Sequence, residues 1–183
     1  MVLEPDAGND HADVEVVSYA AGSGYFVGVL NNRDQPLAAT ARLPGKYHVY
    51  DVRTHEYQGL VDAWQVRMKP GTAALYACLP YAVSPIVAEP ASARAQMGDL
   101  WQGKFSIKRN PLDASSAPHA IRIQVLQPDN KPRPEYARVV TAGLDGAAVN
   151  NIPFAQNDPT GTWKILASDA ISGKSITVEV VLF

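Results

Sequence analysis

The chain has 183 residues, 46% hydrophobic and 19% charged, the composition of a globular protein and not of a disordered one. Sixteen Lys and Arg against eighteen Asp and Glu give a net charge of -2 with no basic run, which argues against nucleic acid as a partner. A single cysteine, Cys78, leaves no intramolecular disulfide and no cysteine-based zinc cluster, and no apolar stretch approaches the roughly 20 residues of a membrane-spanning helix.

The start, MVLEPDAGNDHAD, is polar and acidic, the reverse of a secretory signal. The expectation is either an intracellular chain or a piece of a longer secreted one. Fourteen prolines and thirteen glycines then leave no room for a helix of ordinary length. β-Branched, aromatic or alternating runs predict strands at 13–19, 24–31, 37–43, 46–52, 62–68 and 72–79. Turn clusters separate them, among them Pro44-Gly45 and THEYQG. Strands spaced 8 to 12 residues apart fit an antiparallel sandwich or small barrel, because parallel strands would need helical crossovers.

Prolines 80, 85 and 90 in LPYAVSPIVAEP stiffen a connector, and a boundary there divides the chain into domains 1–83 and 84–183. The second part predicts seven strands, at 85–89, 100–108, 119–126, 135–141, 147–154, 161–168 and 174–183, the number an immunoglobulin-like sandwich requires. ASARAQM is expected to form at most one helical turn. The fold class expected is therefore all-β, two consecutive antiparallel β-sandwich domains, the second Ig-like.

NDPTGTWKILASDAISGK, residues 157–174, gathers two acids and an indole. Asx-Pro followed by Gly161 is turn chemistry, with the Asx side chain expected to bond backbone N–H groups two residues on. The alternation after it places Trp163, Ile165 and Ala167 on one face, so the indole should point inward. Asp169 caps the next hairpin. The D-x-[DN]-x-[DN]-G order of a calcium loop is absent. Asp158 and Asp169 stand at opposite ends of one strand, about 30 Å apart if it is straight, too far for a catalytic carboxylate pair.

His11, His48, His55 and His119 have no metal-ligand spacing and read as surface or turn residues. Ser115 and Ser116 near His119 lack a nucleophile elbow, and AAGSGYF has no helix after it to cradle phosphate. No catalytic residues, metal ligands or cofactor are assigned. The best ligand-binding candidate is HVYDVRTHEYQGLVDAW, where Tyr50, Arg53, Tyr57, Asp62 and Trp64 would form a stacking platform for carbohydrate. The plainer alternative packs tyrosines across the hairpin and pairs Asp51 with Arg53 on the solvent face. A face against a partner protein or an upstream domain would use the same aromatics.

HAIRIQVLQPDNKPRPEYARVV followed by IPFAQNDPTGTWKILASDAISGK resembles the Ig-like modules at the ends of large secreted bacterial proteins, including glycoside hydrolases, and more distantly macroglobulin-type domains. Asp158, Gly161, Trp163, Ile165, Asp169 and Gly173 carry that likeness, with Ser172 where those modules have threonine. VLNNRDQP, HVYDVRTHEYQG and VRMKPGTAALYACLPYAVSPI resemble the antiparallel β-domain that follows the catalytic barrel in beta-galactosidase-like hydrolases. His55 stands where that hairpin has glycine. The resemblance implies non-catalytic modules from the C-terminal part of a larger, extracellular or periplasmic protein. The end in mid-strand at ITVEVVLF, as at a true terminus, and the loop-like start fit that expectation.

Overall fold

The computed structural model describes residues 2–5, 13–111 and 117–183. It is all-β, with several antiparallel sheets as in a β-sandwich and no α-helix among the described residues. No helix among them is long and apolar enough to cross a membrane. The chain splits into two compact units, Met1–Ala82 with Asp113–Ala117, and Val83–Leu112 with Pro118–Phe183.

The first unit is one six-stranded antiparallel sheet built from β1 (Val2–Pro5), β2 (Val14–Ala21), β3 (Gly24–Asn31), β4 (Leu37–Asp51), β5 (Tyr57–Met68) and β6 (Thr72–Leu79). Its order is β1-β4-β6-β3-β2, with β5 also on β4. The expected break at Pro44-Gly45 is absent as a turn, and β4 runs through it as one strand of 15 residues. β5 pairs on both sides: Arg42 faces Ala63 and Tyr47 faces Val61, so five steps on β4 oppose two on β5. The surplus residues bulge out of the ladder, and the N–H that Pro44 lacks falls where no ladder bond is required.

That bulge bends β4, whose first half pairs with β1 and whose second half pairs with β6. The bent sheet encloses Val27, Val29, Leu37, Ala39, Ala41, Val49, Trp64, Val66, Met68, Tyr76 and Cys78. Cys78 is free and fully buried, and burial pushes its thiol up to about 12, which keeps it protonated and inert. β1 is a further departure from expectation, since the loop-like start pairs with Ala39–Arg42 and is pinned by Glu4 accepting from Arg42 Nε at 2.6 Å.

The second unit has a five-stranded sheet, β11-β10-β13-β14-β8, and a three-stranded sheet, β12-β9-β7. Its strands are β7 (Ala82–Pro90), β8 (Arg94–Ala95), β9 (Leu100–Asn110), β10 (Ala120–Leu126), β11 (Arg138–Thr141), β12 (Ala147–Pro153), β13 (Gly161–Asp169) and β14 (Ser175–Leu182). Period-two alternation buries Ile121, Ile123 and Val125 of β10 and Trp163, Ile165 and Ala167 of β13. Phe105, Ile107 and Ile152 of the smaller sheet are buried as well. ASARAQM makes no helical turn; instead β8 lies parallel to β14, because Val181 and Phe183 donate their N–H groups to Ala93 and Ala95. The segment predicted as a strand at 135–141 begins as a 3-10 turn, Pro134–Tyr136, since proline favours the first helical position.

On β9 the Trp101 indole lies flat across Gly103, and a Cβ at 103 would meet the ring at 2.4 Å. Trp101 is also fixed by its Nε1–H donating to the Ser92 carbonyl at 2.8 Å. Gly103→Ala therefore overpacks the site and is expected to lower the unfolding free energy by about 1–3 kcal/mol, read from urea denaturation.

Candidate functional site

The β4–β5 hairpin that carries the candidate residues is shaped by one carboxylate. Asp51 Oδ1 accepts the backbone N–H groups of Arg53 at 2.8 Å and Thr54 at 3.1 Å, which closes the turn. The Asp51 carboxylate thus serves the Arg53 backbone and not its guanidinium. His55 sits at φ +61°, a left-handed conformation that glycine adopts most readily. Past the turn, Tyr50 faces Tyr57 while Val49 faces Gly59, so Gln58 is the extra residue of a second bulge, with Gly59 at φ +103°.

The structure separates the five candidates. Trp64 is 5% exposed inside the core, opposite Ala41, with its ring 5.2 Å from Tyr76 in an edge contact. It cannot stack on a sugar, because the bend of β4 and β5 turns that part of the ribbon inward. Tyr50 is also buried, and its ring packs against Tyr57 at 4.9 Å, the contact across the hairpin expected of paired tyrosines. Arg53, Asp62 and Tyr57 are exposed.

Tyr57 instead finds a partner the sequence did not single out. Its hydroxyl is hydrogen-bonded with His48 Nδ1 at 2.6 Å, and the two rings are inclined by only 16° with centroids 5.9 Å apart. The bonding direction of Nδ1 lies in the imidazole plane, so the rings lie edge to edge as one nearly flat surface. Burial pushes the His48 imidazole below its ordinary value, which favours its neutral form. Leu60 faces His48 across the strands and is exposed.

Register extends this surface into a row across five strands: Tyr19, Phe26, Ala77, Tyr50 and Tyr57 stand opposite one another in turn. Tyr19 stacks on Phe26 at 5.7 Å. The middle is covered and the ends are open, with Tyr50 at 3% exposure, Tyr19 at 53% and Tyr57 at 48%. Alternation of single residues did not reveal the row, because its members come from strands distant in sequence.

The two acids of the second unit are interior. Asp158 accepts from the Tyr136 hydroxyl at 2.5 Å, the Ala155 N–H at 2.8 Å and Arg133 Nη2 at 3.0 Å. Its side chain reaches back along the chain, not two residues forward as expected, because Tyr136 and Arg133 lie behind it. Arg133 also covers the ring of Trp163, whose Nε1–H donates to the Pro159 carbonyl at 2.9 Å. Asp169 accepts from the Ser172 N–H at 2.8 Å and hydroxyl at 2.6 Å and lies 2.7 Å from His119 Nδ1. His119 is thus buried at 2% exposure, not a surface or turn histidine, because it fills the space beneath that carboxylate. Among the described residues no group of three His, Cys, Asp or Glu side chains could hold a metal ion. His11, Ser115 and Ser116 lie outside the described residues.

No family model and no curated protein sequence matches the chain. Similar solved structures are all-β domains of glycoside hydrolase family proteins and alpha-2-macroglobulin-like proteins at low identity. The Salmonella alpha-2-macroglobulin reacted with methylamine is 13% identical over 93% of this chain and 12% of its own, with a TM-score of 0.44. The Yersinia pseudotuberculosis adhesin InvE is 15% identical over 94% of this chain and 59% of its own, at 0.43. A Parabacteroides merdae beta-glucuronidase is 14% identical over 91% and 29%, at 0.34. The chain spans less than two thirds of each of these proteins, and likeness at this level carries no argument about activity.

Burial pushes the Asp169 carboxyl up, but the hydrogen bonds and charge of His119 and the Ser172 bonds outweigh it and hold the group below the ordinary 3.8. A depressed native value stabilises the fold fully above the unfolded value and ceases to do so as pH falls through the native one. Unfolding free energy is therefore expected to drop as pH falls below about 4, and Asp169→Asn to be less stable at pH 7 with a flatter acid limb. Asp158→Ala, which takes the acceptor from the Tyr136 hydroxyl and leaves the Ala155 N–H only its 3.2 Å bond to that hydroxyl, should cost about 2–4 kcal/mol in urea denaturation at pH 7.

Proposed function

We propose that this chain is a non-catalytic accessory pair of β-modules from the C-terminal part of a larger carbohydrate-active, glycoside hydrolase-like protein. Its task is mechanical: the first module packs on the neighbouring upstream domain and the second spaces or extends it. The parent protein, on this reading, works outside the cytoplasm, in the periplasm or beyond the cell. The observation that carries the reading is the use made of the conspicuous side chains. Asp51, Asp158 and Asp169 are consumed as hydrogen-bond acceptors for neighbouring backbone and side-chain groups, and Trp64, Trp101 and Trp163 are interior. Hydrolysis of a glycoside needs a pair of carboxyl groups flanking the bond, one of them free to hold a proton, and these acids are committed elsewhere. The motifs shared with barrel-following β-domains and Ig-like terminal modules point the same way.

Two measurements test it. Incubated with a panel of aryl glycosides, the chain is expected to release no aglycone above the buffer rate; turnover would overturn the proposal. The DNA immediately upstream of codon 1 is expected to continue the open frame into a barrel-type hydrolase.

The edge-to-edge Tyr57 and His48 rings favour a second reading, a carbohydrate-binding module. A flat, half-exposed aromatic surface with neighbouring polar side chains is the kind on which a pyranose stacks. On this reading Tyr57→Ala weakens glycan binding about tenfold by calorimetry. Trp64→Ala acts differently, lowering stability by about 3–5 kcal/mol as a core truncation. Retention of no glycan by the wild-type chain, or binding indifferent to Tyr57→Ala, would remove this second reading.

A further inference from the structure

Sheet edges invite other strands to pair, and proteins blunt them with shortness, charge, proline or bulges. Most edges here carry such a device. β1 has four residues and ends on Pro5; β8 has two; β11 has four and begins with Arg138. β5 carries Asp62 and Arg67 and pairs irregularly with β4. β7 contains Pro85 and Pro90, and β12 ends on Pro153.

β2 is the exception. VEVVSYAA pairs with β3 through eight consecutive residues without a register shift, and it contains no proline, glycine, lysine or arginine. It closes the sheet order, and among the described residues no strand pairs with its far edge. Six of its residues, Glu15 to Ala20, are exposed, including Val17 at 58% and Tyr19 at 53%. Its one charge, Glu15, accepts a hydrogen bond from Asn32 Nδ2 at 3.1 Å.

We propose that this edge joins a second copy of the chain, β2 against β2, to make a continuous antiparallel sheet. Symmetry restricts the register. Directly opposed residues in an antiparallel pair point to the same face, so a twofold axis must run normal to the sheet and bring a residue opposite itself. With the axis at Ser18, two hydroxyls meet across it, Val17 stands opposite the partner's Tyr19 twice over, and Glu15 stands opposite the partner's Ala21. Hydroxyl pairs and aromatic–β-branched pairs are favourable cross-strand neighbours. The two Glu15 carboxylates are then six residue steps apart along the strand, about 20 Å, beyond the reach of unscreened repulsion in ordinary buffer. The strand is thus complementary to itself in side chains and in charge.

Sedimentation velocity of the full chain between about 1 and 100 µM is expected to show a monomer–dimer equilibrium. Ser18→Lys, which opposes like charges at the axis, and Val17→Lys should each raise the dissociation constant at least tenfold while circular dichroism stays native. Leu144→Lys, at an 86% exposed position in the second unit, should leave it unchanged. Register is read by oxidation: Ser18→Cys places two thiols directly opposite and should form a covalent dimer, whereas Val16→Cys separates them by four residue steps, about 13 Å, and should not. A wild-type chain that stays monomeric at 100 µM, associates without limit, or crosslinks equally through both cysteines overturns the proposal.

Discussion

An all-β chain with this many turns must satisfy the backbone N–H groups that its strands leave unpaired at its reversals, and aspartate side chains do much of this here. Asp51, Asp99, Asp129, Asp145, Asp158 and Asp169 each accept at least one backbone N–H in a loop or turn. They are half of the twelve aspartates in the chain. The bonds of Asp158 and Asp169 are half-buried, where an N–H without an acceptor costs as much as a lost hydrogen bond, so these two carboxylates are structural.

The second shaping constraint is curvature. A single sheet can enclose a core only if it bends, and the surplus residues of β4 between Arg42 and Tyr47 supply the bend. One consequence is that residues near in sequence on β5 part company: Trp64 enters the core while Tyr57 stays on the outer surface. Another is that residues far apart in sequence converge, as in the row from Tyr19 to Tyr57. Its covered centre and open ends give the first unit two separate aromatic patches. One adjoins the unprotected edge of β2, and the other is the flat pair of Tyr57 and His48.

In the second unit the aspartates reach beyond their own turns. Asp158 ties Tyr136 and Arg133 to the loop before β13, and Arg133 closes over Trp163. Asp169 ties the β13–β14 hairpin to His119 at the start of β10. Both links hold a loop to the large sheet by charge-assisted hydrogen bonds, which are stronger than neutral ones. Small β-domains depend on such ties because their loops bury little apolar surface.

Local chemistry made much of this legible in the sequence. Alternation placed Trp163, Ile165 and Ala167 inward, and the turn residues located nearly all of the strands, since period and backbone preference act within a few residues. Pro44-Gly45 misled because the missing N–H matters only if a ladder bond is due there, and the partner strand decides that. Tyr50, Arg53, Tyr57, Asp62 and Trp64 part between core and surface for the same reason: which face a residue occupies past a bulge depends on pairing. His119 looked like a turn residue because the carboxylate beneath it lies 50 residues on. The sequence by itself determined most of the strands and turns and the all-β class, because these follow from short-range sterics and hydrogen bonding. Only the tertiary structure decided which rings meet, which acids are buried and which edge is left open, because those depend on register and curvature between distant segments.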